Sequence, residues 1–320
     1  MNIQQICETY VANTYRRYPV TFVRGAGAHL WDEAGREYID LGSGIAVNIF
    51  GVSDPIWAEA VTRQLTALPH TCNLYYAEPC ARLAEMLCAR TGMRKVFFSN
   101  SGAEANECMI KAARKYGEAT GRSTIVTLKD SFHGRTIATL AATGQDVFHQ
   151  HFGPFPAGFA YATPNDLNSV RALCEEQNAC AVMLEVVQGE GGVRALDGDF
   201  LRGVEALCRE RDMLFCIDEV QTGNGRSGQL YAYMVHGLTP DIVSTAKGLG
   251  GGLPIGATLL GEKVRDTLTY GDHGSTFGGN PVACAGAVSI LARLDEEFFQ
   301  GVRERADSIR KALEGAKAVK

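Results

Sequence analysis

Ser244–Ala257, STAKGLGGGLPIGA, sets one lysine, Lys247, between the apolar run DIVSTA and a glycine-rich turn. Glycine lets a backbone bend where side chains would forbid it and lets other groups come close. A lysine here could be solvated, hold a phosphate or act as a nucleophile. No G-x-x-x-x-G-K-[ST] run occurs in the chain, so Lys247 is not a P-loop lysine. Partly desolvated, its amine would lose proton affinity and attack carbonyl carbons. One strand earlier, MLFCIDEVQTGNGRSG ends an apolar run on Asp218. A carboxylate at such a strand end points into the crevice where open α/β sheets bind ligands. Gly223, Gly225 and Gly228 also spell G-x-G-x-x-G, but four residues separate the strand from the first glycine and no clear helix follows. That context argues against a dinucleotide site.

A third element is FFSNSGAEANECMIKAARKYG, in which a strand ends at Ser99–Asn100 and a helix begins near Gly102. Ser101 and Glu104 fit an S-x-x-E capping box. Ala105, Cys108, Met109, Ala112, Ala113 and Tyr116 recur on one helical face. The free N–H groups and positive dipole end of such a turn suit a phosphate. An amine nucleophile, a strand-end carboxylate and a phosphate seat together suggest pyridoxal phosphate. The carboxylate would keep the pyridine nitrogen protonated so that the ring can withdraw electrons.

The elements that must position these groups are legible as apolar runs. KVFFSN, STIVTL, ACAVMLEVV, MLFCID, DIVSTA and GATLLG read as strands with amphipathic segments between many of them. That alternation predicts an α/β fold with a large, mostly parallel sheet. GAHLWDEAGREYIDLGSG near the N-terminus predicts a hairpin. DEEFFQGVRERADSIRKALEGAKAVK, at the other end, predicts a charged amphipathic helix. The 320 residues carry a formal charge of −5 and no clustered basic face, which argues against nucleic acid as a partner. No apolar run approaches the ~20 residues that cross a bilayer, and the N-terminus lacks a signal-peptide pattern. Ten cysteines without a C-x-x-C pair read as reduced core thiols of a cytoplasmic protein.

The chain resembles the class III, ornithine-type aminotransferases. GIAVNIFG, HTCNLYYAEP, FSNSGAEANE, FHGRTIATLAATGQ, EVVQGEGGV, IDEVQTGNGRSG, STAKGLGGGLPIGA and HGSTFGGNPVACA carry the resemblance, in order, from about Tyr15 onwards. It implies a fold-type-I transferase with pyridoxal phosphate bonded to Lys247 and Asp218 on the ring nitrogen. Gln221 would meet the ring's 3-oxygen, and Phe132 would stack on the ring, with His133 beside it. Ser101, Gly102 and Ala103 would hold the phosphate, and Ser275 and Thr276 would reach the phosphate of a neighbouring subunit, as in a homodimer with shared active sites. Arg135 would bind the substrate carboxylate, with Tyr15, Asn73 and Glu190 as further substrate contacts. The implied reaction moves the terminal amino group of N-acetylornithine to 2-oxoglutarate. A sister activity on ornithine, succinylornithine or another ω-amine is the alternative, as is a non-catalytic chain that only binds the cofactor.

Two departures from the family pattern stand out. Its GH-x-HP reads GVSDP here, Gly51–Pro55. Its C-terminal domain, which supplies an arginine partner for the residue matching Glu190, has no counterpart before Lys320. The expected division is therefore an N-terminal segment 1–54, a large cofactor-binding domain 55–292 and the start of a truncated small domain, 293–320.

Overall fold

The apolar runs pair as their alternation dictates. The structure, a computed structural model, describes residues 1–316; the last four residues of the expected third segment lie outside them. Near the N-terminus β1 (Phe22–Ala26), β2 (His29–Asp32) and β3 (Glu37–Ile39) form an antiparallel sheet. The hairpin expected there is β2 and β3, with Trp31 opposite Glu37. The next strands are β4 (Lys95–Ser99), β5 (Thr124–Leu128), β6 (Phe159–Ala162) and β7 (Ala179–Leu184). A small ribbon, β8 (Val187–Gln188) and β9 (Arg194–Ala195), precedes β10 (Leu214–Asp218), β11 (Ile242–Thr245) and β12 (Gly256–Leu260).

The large sheet runs β4-β12-β11-β10-β7-β5-β6. All six expected strands are in it. Only β12 is antiparallel to its neighbours, which makes the sheet mostly parallel. Every residue of β7, β10, β11 and β12 is buried, the pattern of strands covered on both faces. Period-2 alternation divides each strand between two cores. Leu214 and Cys216 of β10 pack with Met109 and Ala113 of the helix Gly102–Glu118. Phe215 and Ile217 pack with Leu201, Val204 and Leu207 of the helix Gly198–Glu210, in a core that also holds Leu83 and Leu87. β6, FAYA, had no sequence signal because its alanines carry little strand propensity.

Several local expectations are sharpened. GVSDP is a helix start: the Asp54 carboxylate accepts from the Trp57 N–H at 2.9 Å and Pro55 takes the first helical position. Arg293 donates to both Asp54 oxygens, at 3.1 and 2.7 Å. Burial raises the Asp54 proton affinity, but the guanidinium and the Trp57 N–H more than offset it and hold the carboxyl below its ordinary range. The G-x-G-x-x-G segment faces the helix Glu296–Leu313. A Cβ on Gly225 would lie 2.8 Å from the Phe298 ring, and one on Gly228 would lie 2.7 Å from Arg303. Both glycines also have positive φ, at 92° and 77°. They serve a tight turn under a helix.

Six cysteines are buried as expected. Cys7, Cys80 and Cys88 are only half-buried and Cys72 is exposed, because the last lies in a loop rather than in an apolar strand. None of the ten thiols is in a disulfide. Among the described residues no helix is long and apolar enough to cross a membrane.

Candidate active site

The C-terminal ends of the parallel strands surround a cavity of about 570 Å³, the crevice where such sheets bind ligands. Asp218 closes β10 and Lys247 follows β11 by two residues. Both line the cavity, with Gln221 on the loop after Asp218. Ser101, Gly102 and Ala103 enter from the helix start after β4, and Phe132, His133 and Arg135 from the loop after β5. Tyr15, largely exposed, completes the rim.

The helix start is built for an anion. The Ser101 hydroxyl accepts from the Glu104 N–H at 3.2 Å. The reciprocal half of the expected capping box is absent: Glu104 reaches past Ser101 and accepts from the Asn100 N–H at 3.0 Å and side-chain amide at 2.8 Å. The N–H groups of Gly102 and Ala103 have no acceptor among the described residues. A Cβ on Gly102 would lie 2.5 Å from Val220, so the chain after Asp218 packs directly on this turn.

Asp218 is 3% exposed and receives three donors. Its Oδ2 accepts from Asn106 Nδ2 at 2.7 Å and His133 Nδ1 at 2.8 Å. Its Oδ1 accepts from the Val220 N–H at 3.0 Å. Burial opposes charge on His133, but the bond to Asp218 and the carboxylate's charge override it and raise the imidazole's proton affinity. A second carboxylate, Glu185, follows β7 directly and accepts from the Phe132 N–H at 3.0 Å. Burial pushes its pKa up, His133 opposes that, and Asp218 adds to it.

Lys247 is half-buried, with φ of 46°, a left-handed conformation uncommon outside glycine. Its amine has no hydrogen-bond or ion-pair partner among the described residues. Burial lowers its proton affinity, and Asp218, Glu185 and Glu190 partly restore it. A desolvated, unpartnered amine at a cavity wall is a carbonyl nucleophile. The Arg135 guanidinium rests 4.1 Å from the Phe148 ring centroid and 5.3 Å from that of Phe132.

Four expected contacts lie outside this cavity. Asn73 donates to the carbonyls of Ser275 and Gly278, at 3.0 and 2.8 Å, so its amide holds a loop. The Ser275 hydroxyl accepts from Asn100 Nδ2 at 3.2 Å and the Gly278 N–H at 2.9 Å. Thr276 and Glu190 are exposed, Glu190 between β8 and β9. Two buried residues of the site, Asn106 and Glu185, escaped the sequence reading. Asn106 is an amide on an otherwise apolar helix face, and Glu185 lies inside the apolar run ACAVMLEVV, directly after the strand itself stops at Leu184.

Comparison with known proteins sets this geometry in a family. The model of the class III aminotransferases matches residues 10–320. The chain belongs to the class III aminotransferases. It is 53% identical to the acetylornithine aminotransferase of Haemophilus ducreyi, across 99% of this chain and 82% of that protein. It is 47% identical to the succinylornithine transaminase of Citrobacter koseri, across 94% and 75%. The crystal structure of N-acetylornithine aminotransferase from Stenotrophomonas maltophilia superposes with a TM-score of 0.82 at 37% identity, across 97% and 76%.

Glu219, next to Asp218 but fully buried outside the cavity, gives a pH-dependent test of how dry the interior at this strand end is. It accepts from the Thr222 hydroxyl at 2.6 Å and the Tyr233 N–H at 2.8 Å. Burial nevertheless raises its pKa from an ordinary 4.5 to about 7. Between those values the native state holds a proton that the unfolded chain has lost, so this group's contribution falls as pH rises through about 7. We expect Glu219→Gln to gain melting temperature over wild type between about pH 5 and pH 8. A constant offset across that range would contradict the buried, protonated glutamate.

Proposed function

We propose that the chain is a pyridoxal-phosphate-dependent aminotransferase that moves the terminal amino group of N-acetylornithine to 2-oxoglutarate. The observation that carries the reading is the unpartnered Lys247 amine facing the same cavity as the donor-clamped Asp218. Family membership and the 53% identity to an acetylornithine aminotransferase support it.

The cavity suits this cofactor. Free N–H groups of Gly102 and Ala103 would take the phosphate, with the Ser101 backbone beside them. Asp218 Oδ1 retains acceptor capacity for a pyridinium N–H. Phe132 would cover one ring face, and Gln221 would meet the ring's 3-oxygen. Pyridoxal phosphate, when bound, supplies an electron sink that stabilises negative charge at the substrate carbon losing its proton. Lys247 Nζ would bond the cofactor's aldehyde carbon at rest and carry the proton between substrate carbon and cofactor during turnover. Its lowered proton affinity suits both tasks, because the free amine is the nucleophile and the base. Arg135 would orient the donor by binding its carboxylate through two parallel N–H groups, a geometry lysine lacks. The two aromatic rings already restrict its guanidinium.

We also propose that two copies pair. Leu74, Tyr75, Tyr76 and Phe277 are each more than half exposed. Their loops are joined by the Asn73 hydrogen bonds to Ser275 and Gly278. An exposed apolar patch of this kind marks an interaction surface. In the pair, Thr276 would reach the neighbouring site and Ser275 would hold its loop. Sedimentation at micromolar concentration is expected to give a dimer, and a monomer would overturn the shared site.

The activity test is a panel of amino donors with 2-oxoglutarate and the cofactor. N-acetylornithine is expected to turn over fastest, and Lys247→Ala to lower kcat by at least about 10⁴-fold. Faster turnover of succinylornithine or free ornithine would move the chain to a sister activity. Activity surviving in Lys247→Ala would overturn the mechanism.

A further inference from the structure

We propose that Asn106 is a positioning residue that decides which oxygen of Asp218 serves the cofactor. The inference rests on the pyridoxal phosphate reading above. A carboxylate oxygen offers two lone-pair sites. Both sites of Asp218 Oδ2 are filled, by Asn106 Nδ2 at 2.7 Å and His133 Nδ1 at 2.8 Å. Oδ1 accepts only the Val220 N–H at 3.0 Å and keeps one site free. Asn106 thus leaves Oδ1 as the acceptor for the ring nitrogen.

The orientation of the amide is dictated by its neighbours. Asn106 Nδ2 also donates to the His133 carbonyl at 2.8 Å, so one NH₂ group serves two acceptors. The reversed amide would aim its oxygen at a carbonyl and a carboxylate, two acceptors with no proton to share. The side chain is 1% exposed, so no solvent replaces these bonds. A single residue of the helix Gly102–Glu118 therefore ties together the helix carrying the phosphate seat, the loop carrying Phe132 and His133, and the strand end carrying Asp218. The choice of an amide matters chemically. A lysine there would neutralise Asp218, whereas a neutral donor stabilises the carboxylate and leaves its charge for the ring. The other titratable groups facing Asp218 are His133, Glu185, Glu219 and Lys247.

The test uses full-length wild type, Asn106→Leu, which matches the size without a donor, and Asn106→Ala, which perturbs the helix less. Pyridoxal phosphate binding is measured by equilibrium dialysis and by the absorption band of the bound cofactor, and folding by the thermal melt without cofactor. Removing the donor frees a site on Oδ2 and lets the carboxylate turn, so the ring nitrogen loses its fixed acceptor. We expect cofactor binding about tenfold weaker. The absorption band, which senses the ring nitrogen, is expected to shift in whichever variant melts cooperatively. Unchanged affinity and an unchanged band in a folded variant would overturn the proposal. So would a lowered melting temperature with affinity and band intact, since a purely structural amide would behave that way. If wild type itself fails to bind pyridoxal phosphate, the cofactor reading falls first, and this inference with it.

Discussion

The structure depends on clamping one carboxylate, Asp218, inside a protein core. An ionised carboxylate away from water is costly unless donors replace its hydration. Here the donors come from three places: the helix after β4 supplies Asn106, the loop after β5 supplies His133, and the chain beyond β10 supplies the Val220 N–H. Asn106 and His133 lie 112 and 85 positions from Asp218 in sequence and reach it only through the fold, whereas the Val220 N–H is two residues on. If β10 lost register, the two distant donors would miss the carboxylate.

Around this centre the burial gradient sets the chemistry of each neighbour. Glu185 and Glu219 also lie at strand ends, but burial outweighs their donors and both hold their protons more tightly than a free carboxylate. Lys247 is pulled the opposite way by the same low dielectric, towards the free amine. The low dielectric around the strand ends thus drives Glu185, Glu219 and Lys247 towards neutrality together. Titratable groups pushed apart by their environment are the usual mark of a site that moves protons.

Much of this was legible in the sequence because strand ends are. Lys247, Asp218 and Ser101 each follow an apolar run, and buried parallel strands write such runs plainly. The six expected strands are all in the sheet, and the face of the helix Gly102–Glu118 follows its period. Residues whose place depends on distant contacts were less legible. Asn73 holds a loop because Ser275 and Gly278 come to it from some two hundred positions away. Asn106 reaches Asp218 across the sheet, which no local pattern encodes. The G-x-G-x-x-G segment shows the reverse case. Gly225 and Gly228 answer to the close approach of Phe298 and Arg303, and spacing alone cannot separate that from a phosphate cradle.

We propose that the Lys247 amine, lining the same crevice as Asp218, is the group that holds the cofactor. Borohydride reduction of the cofactor-loaded protein, followed by peptide mapping by mass spectrometry, tests it most directly. A reduced phosphopyridoxyl group is expected on the peptide containing Lys247 and on no other lysine. Modification elsewhere with an unmodified Lys247, or no modification of a protein that binds the cofactor, would contradict it.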